Sequence, residues 1–238
     1  MRVHNLNPIF FEKTKDGEKM YDVSSRLVKD RVIFLDCEID QEITSQITSL
    51  LFLLDREDPK KKIQLWINSP GGIVQGFFAI YDMIHRIEAP VQTICVGEAC
   101  SAAAILLASG TEGMRYCMPN SRVMIHQIQV DNMGGSNAEI EINTKELKEV
   151  QDRLTDILAR HTGHTKYKIK RDTKMDKWMS SEEARAYGLV DKILPPVKKP
   201  PALLKREGKH SKDESTSEVS EKDTDTETTE EGNDGAEV

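Results

Sequence analysis

Apolar residues along this chain fall into two alternating rhythms. Compact apolar runs occur at residues 30–35, 63–68, 91–96, 122–125 and 189–194, the lengths of buried strands. Between them, apolar positions recur at helical spacing. Ile43, Ile47, Leu50, Leu51 and Leu54 follow a capping Asp40, and Phe77, Ile80, Tyr81, Ile84 and Ile87 are stopped by Ala89-Pro90. A run of small and apolar residues, Ala102 to Ala108, is closed by Ser109-Gly110. Strand and helix alternate, which predicts an α/β fold with largely parallel strands.

Beyond residue 126 the pattern changes. Residues 127–135 are polar and end in Gly134-Gly135. Ser136-x-x-Glu139 then has the form of a capping box, opening an amphipathic helix with Ile140, Leu147, Val150, Leu154, Ile157 and Leu158 on one stripe. A helix over 139–160 spans about 30 Å, more than a small domain needs. Its stripe reads equally as a subunit contact or as packing on its own domain. A second capping box, Ser180-x-x-Glu183, opens a short helix ended by Gly188.

The two ends differ from the middle. Residues 1–20 combine apolar Ile9-Phe10-Phe11 with charges around Gly17, as in a hairpin or loop with an exposed apolar tip. Pro195-Pro196 and Pro200-Pro201 break regular structure, and residues 197–238 are expected to be disordered. Residues 213–238 hold eleven acids and one lysine, so the tail is more negative than the whole chain, whose net charge is −7. The remainder is nearly neutral, and its charge favours neither nucleic acid nor a membrane surface. No apolar stretch reaches membrane-spanning length, and Met1-Arg2-Val3-His4-Asn5 lacks a signal-peptide core, so a cytoplasmic location is expected. Cys37, Cys95, Cys100 and Cys117 show no paired metal-ligand spacing and read as buried reduced thiols.

Ser101 stands where the 91–96 strand gives way to the small-residue helix. Unpaired N–H groups and the helix dipole there favour negative charge, which suits a nucleophile that generates an oxyanion. A plain serine N-cap fits the same residues. A serine nucleophile needs a base and usually an acid to orient it. His126, at the end of an apolar strand, is the best base, and Asp172 and Asp176 are both plausible acids in a loop before the final helix. The Gly71-Gly72 turn and the Ala102 N–H could hold an oxyanion.

Four blocks, Asn68-Ser69-Pro70-Gly71-Gly72, Gly97-Glu98-Ala99-Cys100-Ser101, Pro119 through Gln127, and Tyr187-Gly188-Leu189-Val190-Asp191, together resemble the proteolytic subunit of the caseinolytic Clp protease, the ClpP family. The resemblance covers about residues 8 to 194. It implies a serine peptidase of the crotonase-like α/β fold, with seven-membered rings stacked in pairs around the active sites. It also implies the roles: Ser101 as nucleophile, His126 as base, Asp176 rather than Asp172 as acid, and Gly72 and Ala102 as oxyanion-hole donors. By the same resemblance, residues 1–20 form an N-terminal segment and axial loop. Residues 21–196 form the peptidase domain, with a handle at about 127–160 that joins two rings. The strand after His126 would lie along substrate.

No metal or organic cofactor is implied; ATP is used by a partner AAA+ unfoldase, which feeds unfolded polypeptide. Trp66 and Tyr116 match places where that partner docks, while Gln64 and Arg86 stand where aromatics are frequent. Ala102 replaces a usual methionine, Ile128 a common proline, and Lys174-Met175 a common Asp-Arg pair. Two rival readings remain: a catalytically silent ring subunit, and an acyl-CoA enzyme of the same fold.

Overall fold

The computed structural model describes residues 8–14, 17–130 and 134–195. The N-terminal hairpin joins β1 (Phe10–Thr14) to β2 (Gly17–Tyr21), antiparallel. Its exposed apolar residues, Phe10, Phe11 and Met20, lie toward the open end, Phe10 paired with Tyr21 and Phe11 with Met20. The expectation of an apolar tip is therefore corrected: the apolar surface is at the base. Residues 197–238, expected to be a disordered tail, lie outside the described residues.

The main sheet is α/β, as the alternation predicts. Strands β3 (Val32–Leu35), β4 (Ile63–Ser69), β5 (Val91–Cys100), β6 (Arg115–Cys117) and β9 (Lys192–Ile193) pair in that order, all parallel. β4 shows the cause of its placement. Ile63, Leu65 and Ile67 are buried against helices, while Gln64 and Trp66 on the other face are half-buried. α2 (Gln41–Glu57) and α3 (Val74–Arg86) cover the first face through Ile47, Leu51, Leu54, Phe77 and Ile80. Asp40 caps α2 as expected, its carboxylate accepting from Ile43 N–H at 2.8 Å. All seven residues of α4 (Ala102–Ala108) are buried, so its alanines permit close packing on several sides.

β5 is longer than its apolar run suggests. It continues past Gly97 to Cys100 and divides its pairing. Thr93–Cys95 pair with β6, whereas Glu98–Cys100 pair with β7 (Arg122–Ile125). The register against β4 shifts between Ile67 and Ser69. Gly97 has φ +81°, and a Cβ there would collide with the Asn68 side-chain amide, whose oxygen accepts from Glu98 N–H at 3.2 Å. β7 in turn pairs antiparallel with β8 (Lys177–Ser180). The sheet thus forks at the middle of one strand.

Several short elements were not anticipated: α1 (Val23–Lys29), β6, β8 and α6 (Lys166–Asp172). α1 buries none of its residues, and β6 spans three, so neither carries a periodic signal of its own. The long helix, α5 (Asn137–Thr162), has the expected capping box, with Ser136 N–H donating to Glu139 at 2.7 Å. At 26 residues it is about 39 Å long. Its second half packs on the domain through Val150, Leu154, Ile157 and Leu158, while Ile140 and Ile142 in its first turns are exposed. The reading as packing on its own domain therefore describes the second half of the stripe. No strand forms after His126 among the described residues of 127–136, contrary to expectation. α7 (Ser181–Tyr187) precedes β9, which is shorter than the 189–194 run.

Arg31 closes the first strand–helix unit. Its guanidinium donates to Leu54, Asp58, Lys61 and Lys62 carbonyls at 2.8–3.2 Å, completing the C-terminus of α2 and its return loop. Arg31→Ala should cost on the order of 2–3 kcal/mol by chemical denaturation. Arg31→Lys should recover less than half, because one ammonium cannot span four carbonyls.

Candidate active site

Ser101 occupies the N-cap of α4 with φ +56° and ψ −125°, a strained conformation for a residue with a side chain. Main-chain bonds on both sides hold it. Its N–H donates to Met124 O on β7 at 2.8 Å, and its carbonyl accepts from Ala104 N–H at 3.0 Å. The hydroxyl makes no capping bond. The plain N-cap reading therefore describes the backbone position and not the work of the side chain, which lines a cavity of about 640 Å³.

The glycine turn after β4 packs directly on this junction. Gly71 has φ +102°, and a Cβ on it would stand 2.8 Å from both Cys100 O and Ser101 Cβ. Ile39 crosses the turn, its N–H donating to Gly71 O at 2.7 Å and its carbonyl accepting from Ile73 N–H at 2.8 Å. That bridge leaves the Gly72 N–H unused, and Ala102, first in its helix, has no intrahelical acceptor. Gly72 and Ala102 both line the cavity with Ser101.

The fork in the sheet supplies the next residue. Cys100 pairs with Met124, so His126, just beyond the end of β7, lies close to the Ser101 junction and lines the same cavity. β8 runs back along β7 with Ile125 opposite Lys177, so the preceding residue, Asp176, falls beside His126. Asp176 Oδ1 is 3.6 Å from His126 Nδ1, outside hydrogen-bond range, and that ring nitrogen is buried without a partner. The imidazole is 13% exposed and the carboxylate 50%. No hydrogen bond joins Ser101 Oγ to the imidazole. Strand ends from β4, β5 and β7 thus converge on one side of the sheet, the usual place for chemistry in open parallel sheets.

A protein-family model described as Clp protease matches residues 15–196, well over half of the chain. The chain belongs to the Clp protease family. It is a ClpP-like peptidase domain built on the parallel α/β sheet described above.

Asp172, the other acid considered, is engaged elsewhere. It ends α6 rather than lying in a loop. Burial alone would raise its pKa, but hydrogen bonds from Lys168, Arg171 and Tyr187 outweigh that and hold it at about 2. Among the remaining described histidines, burial drives His161 down to about 4, and its Nε2 contacts Tyr81 Oη at 3.1 Å. His85 Nδ1 contacts the Tyr81 carbonyl at 2.9 Å, and the His164 ring stacks edge-on against Tyr187. His4 and His210 lie outside the described residues.

Burial, helped by Glu98, pushes the Cys100 thiol up to about 12, so the neighbour of Ser101 stays protonated. Cys95 and Cys117 are also buried and free. Cys37 is exposed, correcting the expectation of four buried thiols, because it sits in the loop before α2.

Trp66 and Tyr116 are not part of the cavity. Strand register sets Phe34, Trp66, Ile94, Tyr116 and Lys192 in one row across the sheet, on the face opposite α2 and α3. Phe34 and Trp66 stack at 5.9 Å, and Trp66 Nε1 is buried without a partner. The Clp-family cavity has apolar walls of Phe77, Ile105, Met124, Val150 and Leu154, with Glu38 and Glu146 as its charged lining residues. Sequence reasoning missed Thr173 and Gln151, which bond the main chain just after His126. Each is a polar residue on or beside a helix, with no signal before the helices are placed.

Asp172 provides a pH test. Its depressed pKa means stability that is present above the ordinary carboxylate range and is lost as pH falls through about 2. Asp172→Asn should cost on the order of 2 kcal/mol at pH 7, with the gap from wild type closing between about pH 4 and pH 2 in denaturation measurements.

Proposed function

We propose that this Clp-family chain is a serine endopeptidase subunit. The observation that carries the reading is the convergence of strained Ser101, His126, Gly72 and Ala102 on one cavity, with Asp176 in register beside His126. In this reading, Ser101 Oγ attacks the peptide carbonyl and His126 Nε2 takes its proton. Asp176 accepts from Nδ1–H, orienting the ring and stabilising the imidazolium. Gly72 and Ala102 N–H groups hold the oxyanion. As the tetrahedral intermediate collapses, the C–N bond breaks and the imidazolium protonates the leaving amine. Water, activated by the same imidazole, then hydrolyses the acyl-enzyme. Forming the Asp176–His126 bond requires the two groups to close by about 0.5 Å, and apo sites often tighten in this way.

The assembly belongs to the same proposal. The exposed Ile140 and Ile142 on the first turns of α5 suit contact between stacked seven-membered rings. Unfolded polypeptide reaches the enclosed sites through an AAA+ unfoldase docked over Trp66 and Tyr116. ATP is spent by that partner, and peptide hydrolysis itself needs none. No helix among the described residues is long and apolar enough to cross a membrane; cytoplasmic work is part of the proposal.

A second reading has two observations in its favour. The absence of a Ser101–His126 hydrogen bond and the 3.6 Å His126–Asp176 separation fit a silent ring subunit. A fluorophosphonate probe should separate the two by labelling Ser101 in the assembled protein, and small fluorogenic peptides should be cleaved without ATP. Ser101→Ala should abolish both. No labelling, under conditions that label a known serine peptidase, would select the silent reading. Turnover of an enoyl-CoA without peptide cleavage would select an acyl-CoA enzyme. Native mass spectrometry should give the mass of two stacked seven-membered rings; an active species no larger than a dimer would refute the barrel.

A further inference from the structure

The main chain leaving His126 is a thin wall with space on both sides. Gln127, Ile128 and Gln129 line the cavity that holds Ser101. Gln127 and Ile128 also line a second cavity, of about 610 Å³, whose lining includes Leu147 and Gln151 of α5 and Thr173 after α6. No strand pairing supports the wall among its described residues. Two hydrogen bonds hold it instead. Gln127 N–H donates to Thr173 O at 2.8 Å, and Ile128 N–H donates to the side-chain oxygen of Gln151 at 2.8 Å.

The two bonds are unequal in kind. Thr173 is buried and its own N–H and hydroxyl both bond Ile169 O, so its carbonyl is a rigid anchor three residues before Asp176. Gln151 is a side chain with freedom to turn, yet it is held. Its Nε2 lies 3.4 Å from Thr155 Oγ1, whose hydroxyl donates to Gln151 O at 2.8 Å. That contact directs Nε2 along α5 and leaves Oε1 facing Ile128. α5 thereby reaches across the second cavity to hold the chain two residues past the imidazole.

We propose that Gln151 is a positioning residue for His126: by fixing the Ile128 amide it sets the course of the main chain leaving the imidazole. Its kinetic consequence rests on the serine peptidase reading above. Substrate contact is not required, because the effect passes through the backbone from Ile128 to His126.

Two variants separate the acceptor from the bulk of the side chain. Gln151→Met keeps length and removes the oxygen; Gln151→Glu keeps an acceptor. Amide hydrogen exchange across residues 127–130, followed by mass spectrometry, reads the wall directly. Steady-state cleavage of a fluorogenic peptide reads the site. Gln151→Met should speed exchange at Ile128 and lower kcat about five-fold with KM changed less than about two-fold, the loss of one hydrogen bond's worth of positioning. Gln151→Glu should stay within about two-fold of wild type in both. Should Gln151→Met fail to fold, Ile128→Pro deletes the donor from the other side; exchange is then read at the neighbouring Gln127 and Gln129 amides, and kcat and KM as before.

Unchanged exchange in the acceptor-free variant would overturn the proposal. So would faster exchange with unchanged kcat, or a glutamate variant as impaired as methionine. A wild-type protein that cleaves no peptide would refute the peptidase reading instead, leaving the exchange comparison to decide the clamp.

Discussion

One strand answers to two partners. One edge of β5 pairs with β4, in register over Val91–Cys95 and again at Ala99 after a shift, while its other edge meets β6 at Thr93–Cys95 and β7 at Glu98–Cys100. A flat strand cannot serve both, so the chain bends where Gly97 takes φ +81° and Asn68 fills the space its missing Cβ leaves. The bend brings β7 against the last residues of β5, and so brings His126 to the Ser101 junction. β8 then follows β7 and delivers Asp176. Remove the fork, and three residues separated by dozens of positions lose their common neighbourhood.

The strain at Ser101 is sustained by what surrounds it. Non-glycine residues at positive φ cost about 1–3 kcal/mol and persist where neighbouring structure over-determines them. Here the β7 carbonyl of Met124, the first turn of α4 and the backbone of Gly71 leave the serine no other course. Further out, Arg115 and Asp191 bind β6 to the segment entering β9. The carboxylate accepts from the guanidinium at 2.6 and 3.0 Å and from Arg115 N–H at 2.9 Å. Arg115 Nη1 also reaches the carbonyls of His161 and Gly188, joining the ends of α5 and α7 to the same point. A buried pair so fully bonded fixes how these elements meet, even if its net contribution to stability is small.

Much of the site was legible from residue type and order. The apolar runs located β3, β4, the first part of β5 and β7. Asp40, Ser136 and Ser180 marked helix starts because a side-chain acceptor beside an unpaired N–H is a local event. Ser101 and His126 stood out because each sits at a strand end. The choice between Asp172 and Asp176 was different. Both are aspartates a few residues from the same helix, and nothing in the residues alone separates them apart from family resemblance. The antiparallel register of β7 and β8 separates them physically: one carboxylate falls beside the imidazole, and the other is consumed by Lys168, Arg171 and Tyr187.

What the amino-acid order determined by itself is therefore everything governed by near neighbours: alternation of strand and helix, caps, breakers, the glycine turn and the small-residue helix behind Ser101. What tertiary structure alone decided depends on pairing between distant segments. That includes the extension of β5 beyond Gly97, the recruitment of short β6 and β8, the empty space on both sides of the chain after His126, and the reach of Gln151 across it. Short strands and single polar side chains carry too little local preference to announce such roles, because their stability comes from partners that only the folded chain supplies.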